Sequence, residues 1–96
     1  MDAALNKITF RASALAELES LPRSVQELVA AVIGLLERSD LPKGAIEMRE
    51  RPDLRRVYVG RKHRLIYGVP RKGHIEILRI RARPLAYLNL GQIDLD

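Results

Sequence analysis

A chain of 96 residues has room for one hydrophobic core, so a single α+β domain spanning 1–96 is the expectation. With no cysteine, it can form no disulfide, thiol nucleophile or Cys-ligated metal site, and 47% hydrophobic with 30% charged residues argues against disorder. The net charge of +5 is unevenly spread: residues 1–50 carry 6 Lys/Arg against 8 Asp/Glu, residues 51–96 carry 11 against 4, and such a basic half suits a polyanionic partner.

Asn6 to Phe10 mixes β-branched and aromatic residues in a short run and reads as a first strand. Residues 13–20 read as a helix, with Leu15, Leu18 and Leu21 on its apolar side and Glu17 and Glu19 outside. Pro22 breaks that helix and suits the start of a second, for which Ser24 and Glu27 have capping-box spacing. Val25, Leu28, Val29, Val32, Leu35 and Leu36 recur at helical spacing, and the helix should end near Arg38. The short link between the two predicts an antiparallel helical hairpin.

From Leu54 the period changes to two. Leu54 to Val59 places Val57 and Val59 on one face and Arg56 and Tyr58 on the other. Gly60-Arg61-Lys62 is a turn, Arg64 to Val69 the returning strand, and Pro70-Arg71-Lys72-Gly73 a second turn. His74 to Arg81 is the last strand, apolar on both faces as a central strand should be. The tail from Leu88 has no sustained period, and the sequence leaves its structure open. The order β-α-α-β-β-β predicts two helices packed on a mostly antiparallel sheet. No basic-then-apolar leader is present, and the longest apolar run, Leu28 to Leu36, is too short to cross a bilayer, so a cytoplasmic protein without membrane contact is expected.

His63 and His74 lack neighbouring carboxylates at ligand spacing, glycines occur singly, and no serine stands in an elbow-like motif, so neither a metal nor a cofactor is expected. What remains is arginine. In an uninterrupted strand Arg79, Arg81 and Arg83 would project from one face at intervals of about 6.6 Å, with Arg64 and Arg56 in reach and Tyr87 close behind. Planar guanidinium groups pair with phosphate oxygens and tyrosine stacks on bases, so Arg56, Tyr58, Arg61, Lys62 and Arg79 are candidate RNA-binding residues.

Several segments together resemble the RelE/ParE toxin superfamily, the toxic halves of bacterial toxin–antitoxin pairs. They are Leu15, Leu18, Leu21-Pro22 and Val25; Pro42 and Gly44; Arg51 to Gly60; His63-Arg64-Leu65-Ile66-Tyr67; Ile77 to Ile80; and Ala86-Tyr87. The resemblance runs from about residue 8 to residue 87 in the same element order. It implies a RelE-like fold and, for the RelE-like branch, metal-independent cleavage of mRNA on the ribosome, in which the RNA 2′-hydroxyl attacks the adjacent phosphate. By position it implies that Arg64 supports the phosphate, that Arg56 assists, and that Tyr87 stacks on a base. It likewise implies Glu47 as a base, and Arg81 or Arg83 as acid or phosphate ligand. Where many members read Gly-His-Arg, this chain reads Arg81-Ala82-Arg83-Pro84. Ala82 cannot donate a proton and arginine is a poor general acid, which leaves a degenerate toxin as an alternative. The ParE-like branch, which inhibits DNA gyrase by protein contact, is the other; short helices without Trp favour the RNase. Either branch implies a cognate antitoxin that covers the basic face.

Overall fold

The computed structural model describes residues 4–95. Its elements are β1 (Lys7–Phe10), α1 (Ala12–Ser20), α2 (Arg23–Arg38), β2 (Ile46–Glu47), β3 (Leu54–Val59), β4 (His63–Arg71), β5 (His74–Ala82), α3 (Arg83–Ala86) and a 3₁₀ turn, Leu90–Gln92. The strands form one sheet in the order β1-β5-β4-β3-β2. β1 runs parallel to β5 and every other pairing is antiparallel. Among the described residues no helix is long and apolar enough to cross a membrane.

The helical hairpin covers one face of the sheet. Ala14, Val29, Val32 and Leu36 pack there against Val57, Val59, Leu65, Tyr67, Ile75, Ile77 and Ile80. The buried stripe of α1 runs through Ala14, Leu18 and Leu21, while Leu15 is 44% exposed. The leucine spacing pointed to Leu15; at about 3.6 residues per turn the i, i+3 and i, i+4 rows lie side by side, and contact with β5 selects the stripe through Ala14. Leu28 and Leu35 of α2 are also exposed, because that helix packs on β3 and β1 through Val29, Val32 and Leu36. The Ser24–Glu27 capping box is not made: Pro22 occupies the N-cap position, and its carbonyl accepts from the N–H groups of Val25 and Gln26, both at 3.0 Å.

The opposite face carries a second cluster, Met48, Leu54, Ile66, Leu78, Ala86 and Ile93. The sequence left the tail open, and the structure gives it one 3₁₀ turn, Leu90–Gln92. The tail turns back across the sheet, and Leu95 seats so close to Gly68 that a Cβ there would lie 2.5 Å from its Cδ2. A bulge in β5 makes the second cluster possible: Ile66 pairs with Arg79 but Tyr67 pairs with Ile77, so Leu78 is unmatched. The extra residue turns Leu78 to the same side as Arg79. Two buried faces explain why β4 and β5 are apolar at consecutive positions.

Candidate functional site

The pleat decides which side chains meet. Tyr58 stands opposite Arg64, and Arg64 opposite Arg81, so the three share the face away from the hairpin, with Arg56 two residues from Tyr58. α3 closes this face. Its first N–H, from Arg83, donates to the Lys62 carbonyl at 2.7 Å, which ties the helix to the β3–β4 turn. Pro84 in that first turn needs no amide partner. The result is an open cleft of about 620 Å³ in which Arg49, Arg56, Arg64 and Arg83 surround Tyr58 and Tyr87.

The cleft is positive because its arginines are not neutralised. Arg11, Arg51, Arg55 and Arg81 each hold a carboxylate. Among the described residues Arg49, Arg56, Arg64 and Arg83 have none within 4.0 Å. Arg64 is the most constrained of the four, at 4% exposure. Its Nη1 donates to the Arg61 and His63 carbonyls at 3.1 and 2.8 Å, and its guanidinium lies 3.6 Å from the Tyr58 ring centroid. Its Nε is buried with no acceptor among the described residues. A guanidinium held by two carbonyls and a tyrosine ring places a fixed positive charge at the wall of the cleft. Arg56 lies 4.9 Å from the same ring. The neighbouring Arg56 guanidinium, then the charge of Arg64, pull the Tyr58 phenol below its usual range.

Five of the ten residues singled out from sequence line this cleft: Arg56, Tyr58, Arg64, Arg83 and Tyr87. Arg61 and Lys62 are exposed in the turn at its end. Three others do not join it. Arg79 is buried, and its guanidinium donates to the carbonyls of Ala86 (3.1 Å), Leu88 and Asn89 (3.3 Å). It braces the chain after α3, so the expected projecting row of Arg79, Arg81 and Arg83 is not formed; the strand ends at Ala82 and Arg83 opens a helix instead. Burial lowers the Arg79 pKa from its ordinary value. Arg81 shares the face of Arg64, but its Nε is bound by Glu17 of α1, whose other oxygen accepts the Ile80 N–H at 3.1 Å. Glu47 pairs in register with Arg55, which pairs with Tyr67, a residue of the hairpin-side core. Its carboxylate lies 3.8 Å from Arg55, across the sheet from the cleft.

The structure adds Arg49 and Glu50, from the loop after β2, to the cleft lining. Strand β2 is too short to leave a period in the sequence, so nothing local announced them. Glu17 and Arg81 are 64 positions apart, and no local pattern links them. Among the described residues no three His, Asp or Glu side chains converge as a metal site would require.

The backbone architecture, a five-stranded sheet with a helical hairpin on one face, matches solved structures of RelE-like toxins. RelE in the archaeal RelE–RelB complex from Pyrococcus horikoshii OT3 superposes with a TM-score of 0.70 and 24% identity, over 85% of this chain and 99% of that one. A YoeB/ParE toxin from Agrobacterium tumefaciens gives 0.70 and 16%, over 79% and 97%. The isolated E. coli RelE toxin gives 0.63 and 20%, over 80% and 83%. No protein-family model and no curated protein matches the sequence. The chain therefore has the fold of RelE-like toxins, a likeness carried by backbone architecture at low identity.

Proposed function

We propose that this chain is the toxin of a type II toxin–antitoxin pair, a cytoplasmic endoribonuclease that cleaves mRNA on the ribosome and so arrests translation. The observation that carries the reading is the cleft in which four arginines, without carboxylate partners among the described residues, surround two tyrosines. A phosphodiester seated on Arg64 has Arg56 and Arg83 in the same cleft, and Tyr58 and Tyr87 offer stacking faces for bases. The RNA supplies its own nucleophile: the 2′-hydroxyl attacks the adjacent phosphorus and the 5′-oxygen leaves. Negative charge grows on the phosphoryl oxygens during that step, and fixed guanidinium groups stabilise it more than they stabilise the ground state.

A cognate antitoxin is the expected partner, as RelB accompanies RelE and YefM accompanies YoeB in the solved complexes. The surface beside the cleft suits one. A groove of about 450 Å³ between α2 and β3 shares Ile46, Arg56 and Tyr58 with the cleft, and Leu35 and Lys43 also border it. Exposed Leu28, Leu35, Leu41 and Ile46 flank this region, so an amphipathic acidic segment laid there would cover the cleft rim.

Controlled expression in a bacterium, with transcriptome-wide mapping of new RNA 5′ ends, tests the proposal. Growth arrest with codon-phased cuts in translated messages, lost in Arg64→Ala and reduced in Tyr87→Phe, is the expected result. Arrest with intact messages and DNA damage would move the reading to gyrase inhibition. No arrest would mark a degenerate toxin.

A further inference from the structure

Guanidinium groups stay protonated at any working pH and cannot take a proton from the 2′-hydroxyl. The histidines are placed elsewhere: His74 Nε2 bonds Thr9 Oγ1 at 2.8 Å, and His63 pairs with Val59, a residue of the hairpin-side core. Glu47 is across the sheet. The groups in the cleft that can exchange a proton are Glu50, Tyr58 and Tyr87. Glu50 is exposed in the loop after β2, with no side-chain hydrogen bond fixing it among the described residues. Tyr87 is half-buried against the Met48–Leu54–Ile66 cluster. Tyr58 differs from both. Its ring is fixed on the guanidinium of Arg64, yet the residue is 52% exposed toward the cleft.

Resting on the RNase reading above, we infer that Tyr58 is the general base of this cleft, its phenolate oxygen taking the 2′-hydroxyl proton of the nucleotide whose phosphate lies on Arg64. The O2′–P bond forms as that proton moves to Tyr58, and the P–O5′ bond breaks. The 5′-oxygen takes a proton from water, leaving a 2′,3′-cyclic phosphate and a 5′-hydroxyl, and the phenol returns its proton to solvent. The surroundings favour the phenolate. Arg56 from its own strand, Arg64 from β4, Arg49 from the β2–β3 loop and Arg83 from α3 face it, against the Glu50 carboxylate and the Tyr87 side chain among the described residues. The lowered phenol pKa follows from the two nearest of these cations. A base held against the phosphate-binding group has its target within reach whenever the phosphate is seated.

The test is single-turnover cleavage of mRNA on programmed ribosomes at subsaturating toxin, from neutral to alkaline pH, for wild type, Tyr58→Phe and a chain with 3-fluorotyrosine at position 58 alone. Phenylalanine keeps the ring on Arg64, so folding and RNA affinity should persist while cleavage falls by roughly 10²–10⁴-fold and loses its rise with pH. Fluorotyrosine, a stronger acid, should move the upper inflection of the wild-type profile to lower pH. Tyr58→Phe with wild-type cleavage and an unchanged profile would overturn the inference while leaving the RNase reading intact. So would loss of cleavage matched by loss of RNA binding, which would make Tyr58 a stacking residue. A wild-type chain that leaves programmed mRNA uncut would overturn both.

Discussion

Salt dependence gives a direct count of the cations that meet RNA. Each phosphate neutralised on a single strand contributes a log–log slope of about −0.7, because a condensed counterion is released. The cleft offers Arg49, Arg56, Arg64 and Arg83, which have no carboxylate partner among the described residues. If all four engage phosphates, the slope is about −2.8, a loss of about fifty-fold in affinity between about 50 and about 200 mM salt. Arg83→Gln should reduce the slope to about −2.1, an eighteenfold loss or so over the same interval. Arg55→Gln should leave it unchanged, since Arg55 is held by Asp40 at 3.3 Å and Glu47 at 3.8 Å beyond the cleft. Fluorescence anisotropy with a labelled 2′-O-methyl RNA measures these slopes, because the blocked 2′-oxygen prevents cleavage during the titration. A flat salt dependence, or equal effects of Arg83→Gln and Arg55→Gln, would refute the assignment of the cleft as the RNA surface.

Glu17→Gln keeps an oxygen for the Ile80 N–H but removes the charge that holds Arg81; the freed guanidinium should steepen the same slope by about 0.7. Arg79→Met leaves the carbonyls of Ala86, Leu88 and Asn89 without their donor and should cost roughly 2–4 kcal/mol, read as a lower urea midpoint. Tyr67, whose hydroxyl donates to the Asp40 carbonyl at 2.8 Å, has its phenol pushed up by burial to about 12. Because the folded value lies above the unfolded value of about 10, its contribution is complete below pH 10 and is lost as pH rises towards 12. That contribution is roughly 2–3 kcal/mol. Urea titrations across that window should show the decline in wild type and a shallower one in Tyr67→Phe.

Much of the scaffold was legible in the chain. Local signals marked both helices of the hairpin and four of the five strands: Leu54–Val59 was placed to the residue, the ends of Lys7–Phe10 and His74–Ala82 to within one, and those of His63–Arg71 to within two. Period-two alternation also put Arg56 and Tyr58 on the face away from Val57 and Val59, which is the face that became the cleft. The charge asymmetry located the basic half, and five of the arginines and tyrosines singled out from sequence line the cleft. The sequence could not decide which arginines are free. Arg79 and Arg81 sit on one strand two residues apart, yet the first is consumed by carbonyls of the returning tail and the second by a glutamate from the first helix. Arg49, with no comparable pattern around it, reaches the cleft through a two-residue strand. Local periodicity fixes which way a side chain leaves its own strand or helix. Whether a charge is neutralised, buried or left available depends on groups tens of residues away, and only the packing of the tail and hairpin onto the sheet brings those together.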